Sequence, residues 1–247
     1  MNWITFVGEG RSGHTVLSGI LCSHPRAIVT EEQKYISKWL RGFSRDDIFK
    51  ALYASEGGGN TRKQMGFPNL DKHTDPLLAV GDKCGWDAVN EVKKRGESAD
   101  ILTRFSKFIG MPVKVIHSSR HPLDNITAWL ASPKYQRMFG NEELLHKRMI
   151  RRYCRFYEAA ELVMEGQDVF HLRNEELIAH PTITIRALSE WLGLPVDERW
   201  LETSAGFVNP KPNRRRDQYP WIEEYREQVL TWRVIDRFPS LAYYKES

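Results

Sequence analysis

The chain has 247 residues, 41% of them hydrophobic and 28% charged, a size for one large α/β domain or two small ones and enough to bury a sizeable core. Eight Trp, nine Tyr and eleven Phe exclude a disordered chain, which is poor in aromatics, and apolar runs of about five residues fall far short of the ~18 that span a membrane. A net charge of +4, from 36 Lys and Arg against 32 Asp and Glu, excludes a general nucleic-acid coat but leaves room for a local basic cleft around a small anion.

Residues 1–7 carry no basic stretch followed by a long apolar run, so no cleaved signal peptide is expected. Cys22, Cys84 and Cys154 are odd in number and widely spaced, with no C-x-x-C, so neither a zinc site nor a disulfide framework is expected. A reducing, cytoplasmic setting is the natural expectation.

The elements alternate. Residues 3–7 are a β-prone run ending in the glycine-rich Gly8–Gly13. Residues 14–23 follow as a helix, with Val16, Leu17, Ile20 and Leu21 at helical spacing and Pro25 closing it. Residues 27–30 form a second strand, so the chain opens as a βαβ unit. The pattern then predicts a helix over 34–55 and a strong break at Gly57-Gly58-Gly59-Asn60, with an apolar-poor excursion or lid over 57–76. Further on it predicts strands at 77–82, 113–117 and 168–172. Helices are expected at 96–109, from 122 to about 131, and at 141–165, 175–179, 182–192 and 220–236. With no internal repeat and no low-complexity linker, the expectation is a single α/β domain over 1–247. Its architecture is three-layer α/β/α around a mostly parallel sheet of about five strands.

The turn Gly8–Thr15 carries the strongest chemical signal. A glycine-rich turn between a strand and a helix presents backbone N–H groups and a helix N-terminus to an anion, usually phosphate. Arg11 adds charge there, and Ser12 and Thr15 add hydroxyls. The spacing fits G-x-x-x-x-G-K-[ST] except that His14 stands at the lysine position. Since that lysine normally reaches the β- and γ-phosphates, a nucleoside-triphosphatase reading is weakened. Gly8, Gly10 and Gly13 also match G-x-G-x-x-G, but no acidic residue sits cleanly at the end of the next strand. A tight turn without a ligand is the remaining alternative. Asp82 after the third strand could be offered as a metal ligand, on a weak signal.

Residues 10–25, Gly-Arg-Ser-Gly-His-Thr-Val-Leu-Ser-Gly-Ile-Leu-Cys-Ser-His-Pro, resemble the first signature of sulfotransferases that use 3′-phosphoadenosine 5′-phosphosulfate (PAPS), closest in pattern to bacterial and tyrosyl-protein types. The resemblance implies a P-loop-like fold in which Gly10, Arg11, Ser12, Gly13, His14 and Thr15 hold the 5′-phosphosulfate, with no required metal. That accounts for the missing lysine.

A second segment, Ser118-Ser119-Arg120-His121-Pro122-Leu123-Asp124 through Trp129, places an arginine at the carboxyl edge of a strand, where open α/β sheets bind ligands. On the residues alone Arg120 serves either a phosphate, by bidentate contact, or a carboxylate such as Asp124. The segment resembles the family's 3′-phosphate motif, whose arginine matches Arg120; the usual serine falls at Ala128, with Thr127 one residue earlier as the alternative hydroxyl. Lys211, Arg214, Arg215 and Arg216 concentrate four cations within six residues. Such a run is either a solvated surface or, as the resemblance implies, a basic loop over the 3′-phosphate. Residues 169–181 and 191–195 complete the resemblance, with Asn174 where the family has a tyrosine.

Transfer of a sulfuryl group to an alcohol needs a base, cationic stabilisation and in-line placement. Glu31 and Glu32 follow the second strand, and on an extended segment only one of two neighbours faces a given side. The tyrosyl-protein members imply Glu32 as base, and Lys34 falls where they have an arginine. His14, His73 and His117 are alternatives, as some relatives use a histidine. Lys83 matches a family lysine that contacts the transferring group, so Glu32, Arg11 and Lys83 form the expected catalytic set. Tyr35, Trp39 and Trp129 are either core aromatics or stacking surfaces for an acceptor. The expected partner is a small-molecule, carbohydrate or peptide hydroxyl; a kinase-like phosphotransferase and a silent nucleotide-binding module are the alternatives.

Overall fold

The computed structural model describes residues 1–55, 76–133, 136–137, 142–211, 215–217, 219, 221 and 223–245. Residues 57–75 of the expected lid over 57–76, His73 and Arg214 lie outside the described residues. Five strands form one sheet: β1 (Asn2–Val7), β2 (Ala27–Thr30), β3 (Ala79–Asp82), β4 (Val113–Ser119) and β5 (Asp168–Arg173). Their order is β2-β3-β1-β4-β5, and every pairing is parallel.

Alternation along the strands explains the layers. Trp3 and Val7 of β1, Ile28, Val80, Val113 and Val115 face one hydrophobic cluster; Ile4, Phe6, Val29, Ala79, Ile116 and Leu172 face the other. The first cluster is completed by α2 (Tyr35–Leu40), α3 (Arg45–Ala54), α4 (Asp87–Arg95), α5 (Ile101–Ile109), α6 (Pro122–Leu130) and the long α7 (Glu142–Met164). The second is covered by α1 (His14–Ser23), α8 (Asn174–Ala179), α9 (Pro181–Leu192) and α10 (Glu198–Gly206). A sheet covered on both faces needs apolar side chains on both, which is why its strands read as nearly continuous apolar runs. The C-terminal elements α11 (Glu223–Leu230), α12 (Arg233–Arg237) and α13 (Pro239–Ala242) return Tyr225, Val229, Ile235 and Leu241 to the first cluster. No described helix is long and apolar enough to cross a membrane.

Three helical expectations are corrected. The stretch 34–55 is two helices, because Gly42 takes φ 91° and Ser44 starts α3 with a capping box to Asp47. The stretch 96–109 starts only at Ile101; an unforeseen helix, Asp87–Arg95, ends at Gly96 with φ 66°. The expected helix 220–236 is split into α11 and α12.

The register sets up the site. Val7 pairs with His117, Thr5 and Thr30 both pair with Asp82, and Ser119 pairs with Arg173. In a parallel sheet these strands end on one edge, so Gly8, Glu31, Lys83, Arg120 and Asn174 all emerge together. β1 lies between β3 and β4, and its connection through α1 passes over β3 to reach β2. The edge above β1 is therefore the crevice where chain connections diverge to either side.

Candidate active site

The glycine turn joins β1 to α1. Gly13 takes φ 96° and its missing Cβ leaves room for Asn174, whose Oδ1 lies 2.5 Å from where that atom would be. Gly10 is pressed against the Trp129 ring, which a Cβ would meet at 2.5 Å. The Ser12 hydroxyl donates to the Glu9 carbonyl at 2.7 Å, and the Ser118 hydroxyl donates to the Ser12 carbonyl at 2.5 Å, tying the turn to β4. Ser12 thus braces the turn from inside. No side chain caps the start of α1, so its first amides keep their outward donor direction, the usual anion-binding feature of a strand–turn–helix.

His14 fills the base of the turn. Its Nε2 lies 3.3 Å from the Ser12 hydroxyl and its ring packs edge-on against Phe6. Burial, and after it the nearby Lys83 charge, lower its pKa to about 4. The imidazole is therefore neutral at neutral pH.

Two residues from strand ends meet Thr15 of α1 beside the turn. Lys83, almost fully buried, sends its ammonium 3.4 Å from the Thr15 hydroxyl and 3.7 Å from the Glu32 carboxylate. Glu32 is more than half exposed, so one oxygen meets Lys83 while the carboxylate stays open to a second molecule. Among the described residues the non-glycine positions with left-handed backbone are Arg11 (φ 75°), Glu32 (φ 52°) and Lys34 (φ 59°). All three border this cluster, and local strain of this kind concentrates at functional sites.

A second cluster lies across β4. Arg120 Nη1 donates to the Arg11 carbonyl at 3.5 Å and lines a cavity of about 520 Å³ with His121, Arg173, Asn174, Arg216 and Tyr243. Asp124 is taken by Arg216, which donates from its backbone amide at 2.8 Å and from Nη1 at 2.7 Å. Asp124, the carboxylate named as a possible partner of Arg120, thus accepts from Arg216. Arg173 pairs with Glu176 and lies 3.8 Å from the Tyr243 ring centre. Glu175 accepts from the His121 amide at 3.1 Å and from the Tyr244 hydroxyl. His121 itself is held at a pKa of about 3, by burial first and then by Arg216, Arg226 and Arg120.

The structure does not bring every expected residue to these clusters. Thr127 is buried and its hydroxyl accepts from Trp221 Nε1 at 3.0 Å. Lys211 is exposed, its amide donating to Asn209 Oδ1 at 2.9 Å; neighbouring Pro210, not Lys211, lines the cavity. His117 is fully buried against His171, Tyr157 and Phe238, with its pKa lowered to about 3 chiefly by that burial. Tyr35 and Trp39 belong to the core, packed on Trp3 and on Phe105 and Phe108. Trp129 faces Gly10 on one side and carries Arg152 at 4.5 Å.

Sequence reasoning missed three supports. Glu9, buried beside the turn, is ion-paired to Arg152 of α7 at 2.7 Å. Asp82 is a clamp on the 31–34 segment rather than an open metal ligand, accepting from the amides of Gln33 and Lys34 and the Thr30 hydroxyl. Asp124 anchors the basic C-terminal loop. Only Asp82, at a strand end, carried a positional signal; the other two depend on distant partners.

No protein-family model and no curated protein matches the chain. Solved structures do. The chain is similar to sulfotransferase STF9 from Mycobacterium avium (TM-score 0.55, 13% identity, covering 96% of this chain and 76% of that one). It is similar to a sulfotransferase from Alicyclobacillus acidocaldarius (0.54, 15%, 99% and 95%). It is also similar to mouse sulfotransferase SULT7A1 complexed with PAP (0.56, 12%, 99% and 88%). Identities this low speak of backbone architecture, and the architecture of this chain is the sulfotransferase fold.

Proposed function

We propose that the chain is a sulfotransferase that moves a sulfuryl group from PAPS to a hydroxyl acceptor in a cytoplasmic setting. The observation that carries the reading is the placement of Lys83 between Thr15 of the glycine turn and the open carboxylate of Glu32. A base, a cation and an anion-binding turn thereby share one strand edge. The likeness to sulfotransferases, one of them complexed with PAP, supports the same choice of donor.

PAPS, when bound, supplies an activated sulfuryl group whose bond to the 5′-phosphate oxygen breaks as a new S–O bond forms to the acceptor. Glu32 takes the proton of the acceptor hydroxyl, its exposure leaving one oxygen available. Lys83 and Arg11 offset the negative charge gathering on the sulfuryl and bridging oxygens; Lys83, almost buried, acts where water screens little. The amides of the turn and of the first turn of α1, with the Thr15 hydroxyl, hold the 5′ end. Arg120 and Arg216, in the adjoining cavity, recognise the 3′-phosphate, and the cavity's size suits a nucleotide. Lys211, exposed on the same loop and outside the cavity, adds positive charge without a direct contact. Asn174 gives its amide to packing on Gly13.

Calorimetry tests the reading. Adenosine 3′,5′-bisphosphate should bind more tightly than ATP–Mg²⁺; the opposite order would overturn it in favour of a phosphotransferase. Turnover of labelled PAPS across a panel of alcohols, sugars and peptides identifies the acceptor. Glu32→Gln should leave nucleotide affinity in place and lower turnover by about 10²-fold or more. Intact binding with no turnover towards any acceptor would favour a silent nucleotide-binding module.

A further inference from the structure

The end of β3 carries two consecutive polar residues that turn to different partners. Lys83 reaches the glycine turn and Glu32. Asp82 reaches back to the segment that carries Glu32. Its Oδ1 accepts from the Thr30 hydroxyl at 2.9 Å and the Gln33 amide at 3.0 Å, and its Oδ2 accepts from the Lys34 amide at 2.8 Å. Asp82 is buried, so these donors, and not water, satisfy its charge.

The segment it holds is the unusual one. Glu32 and Lys34 both adopt left-handed backbone within three residues, a conformation that L-residues other than glycine avoid and keep only where the surroundings over-determine it. Two backbone amides of this turn end on one carboxylate, and the same strand end supplies the ammonium that meets Glu32. The direction of the Glu32 side chain is therefore fixed from β3 twice, through its backbone by Asp82 and through its carboxylate by Lys83.

We propose that Asp82 is a positioning residue, which touches no substrate but holds the 31–34 turn in its left-handed form so that the Glu32 carboxylate stands at Lys83. The proposal rests on the sulfotransferase reading for its catalytic consequence, but not for the clamp itself. An ordinary buried aspartate would stabilise the whole fold. This one acts on the step that uses Glu32 and leaves the nucleotide cavity across β4 alone.

The test is Asp82→Asn in the full chain. It keeps the size but sets an amide NH₂ against one of the backbone donors. Hydrogen exchange of the Gln33 and Lys34 amides should rise at least about tenfold while α1 and β4 keep their protection. Turnover of PAPS, with an acceptor the wild type uses or with water as acceptor, should fall by about 10²-fold, as for a misplaced reacting group. Affinity for adenosine 3′,5′-bisphosphate should stay within about twofold of wild type, since Arg120, Arg216 and the glycine turn are untouched. Unchanged exchange at 33 and 34, unchanged turnover, or nucleotide affinity falling in step with turnover would each overturn the proposal. A wild type that binds the bisphosphate but turns over nothing would count against the sulfotransferase reading, and the exchange rates would still decide the clamp. If Asp82→Asn shows no cooperative unfolding, Thr30→Val removes one of the three donors instead. It should speed exchange at 33 and 34 and lower turnover by about threefold with nucleotide binding kept; wild-type exchange in that variant overturns the proposal.

Discussion

Asp124 holds Arg216 by two routes, accepting from its backbone amide at 2.8 Å and from its guanidinium at 2.7 Å. The carboxylate is buried and the arginine side chain one-fifth exposed. This pair carries the C-terminal basic segment onto α6, the helix that follows Arg120. It makes one wall of the cavity from residues 92 apart in sequence. Arg216→Ala should weaken adenosine 3′,5′-bisphosphate by about tenfold or more, the worth of one charge-assisted phosphate contact. Adenosine 5′-phosphosulfate, which lacks the 3′-phosphate, should be affected much less. Asp124→Asn should cost nothing further once Arg216 is alanine, because the two act as a unit. Calorimetry on the two single variants and the double variant measures this coupling; additive losses would separate the residues.

Gly13 is required twice, for its φ of 96° and for the space that Asn174 occupies. Gly13→Ala should destabilise the fold by about 1–2 kcal/mol from the left-handed backbone alone. It should also weaken nucleotide binding, as the turn that aims the α1 amides shifts. Asn174→Ala in the same chain clears the steric conflict but not the backbone cost, so it should restore part of the loss. Denaturant unfolding and calorimetry on these two variants and on Asn174→Ala alone distinguish the two contributions.

Much of this fold and site is legible in the amino-acid sequence. The strands, a parallel sheet and the strand–turn–helix at Gly8–Thr15 follow from local pattern. So does the placement of Glu32, Lys83 and Arg120 at strand ends, because a parallel sheet brings all such ends to one edge. What local pattern does not carry is who pairs with whom across the sheet. Ser12 and Thr127 look like ligands by motif position, yet their hydroxyls bond to Glu9 and Trp221. Asp124, the sequence neighbour weighed against Arg120, belongs to Arg216. Tyr35 and Trp39 sit at helical spacing compatible with either core or pocket, and packing on Trp3 and Phe105 decides for the core.

The glycine turn is braced from α7 by the buried Glu9 carboxylate and Arg152, whose guanidinium also covers Trp129, itself seated on Gly10. Burial raises the Glu9 pKa, and Arg152 works against that rise. Arg152→Ala leaves a buried carboxylate unpaired. It should cost about 3 kcal/mol of stability, the low end for a broken buried pair because Arg152 is partly exposed. Glu9→Gln in the Arg152→Ala background should recover most of it, since the uncompensated charge is gone. If the loss came only from lost packing on Trp129, Glu9→Gln would recover nothing, and thermal unfolding of the two variants decides between these causes.

His117 offers a pH test because it is fully buried and packed against His171. Imidazole ordinarily titrates near 6.5, and in the fold burial, then His171 and His14, hold this one at about 3. Between these values the unfolded chain takes up a proton that the folded chain refuses, so the contribution to stability is full above pH 6.5. It falls as the pH drops towards the folded pKa, by about 1.4 kcal/mol for each pH unit. His117→Gln removes the titration while keeping a polar side chain of similar length beside His171. Other buried groups titrate in the same range in both proteins, so the quantity to read is the stability of wild type minus variant. That difference should be constant from pH 8 to 7 and then decline steadily between pH 6 and 4. Urea unfolding at half-unit pH steps measures it, and a flat difference down to pH 4 would mean that His117 is protonated as readily in the fold as out of it.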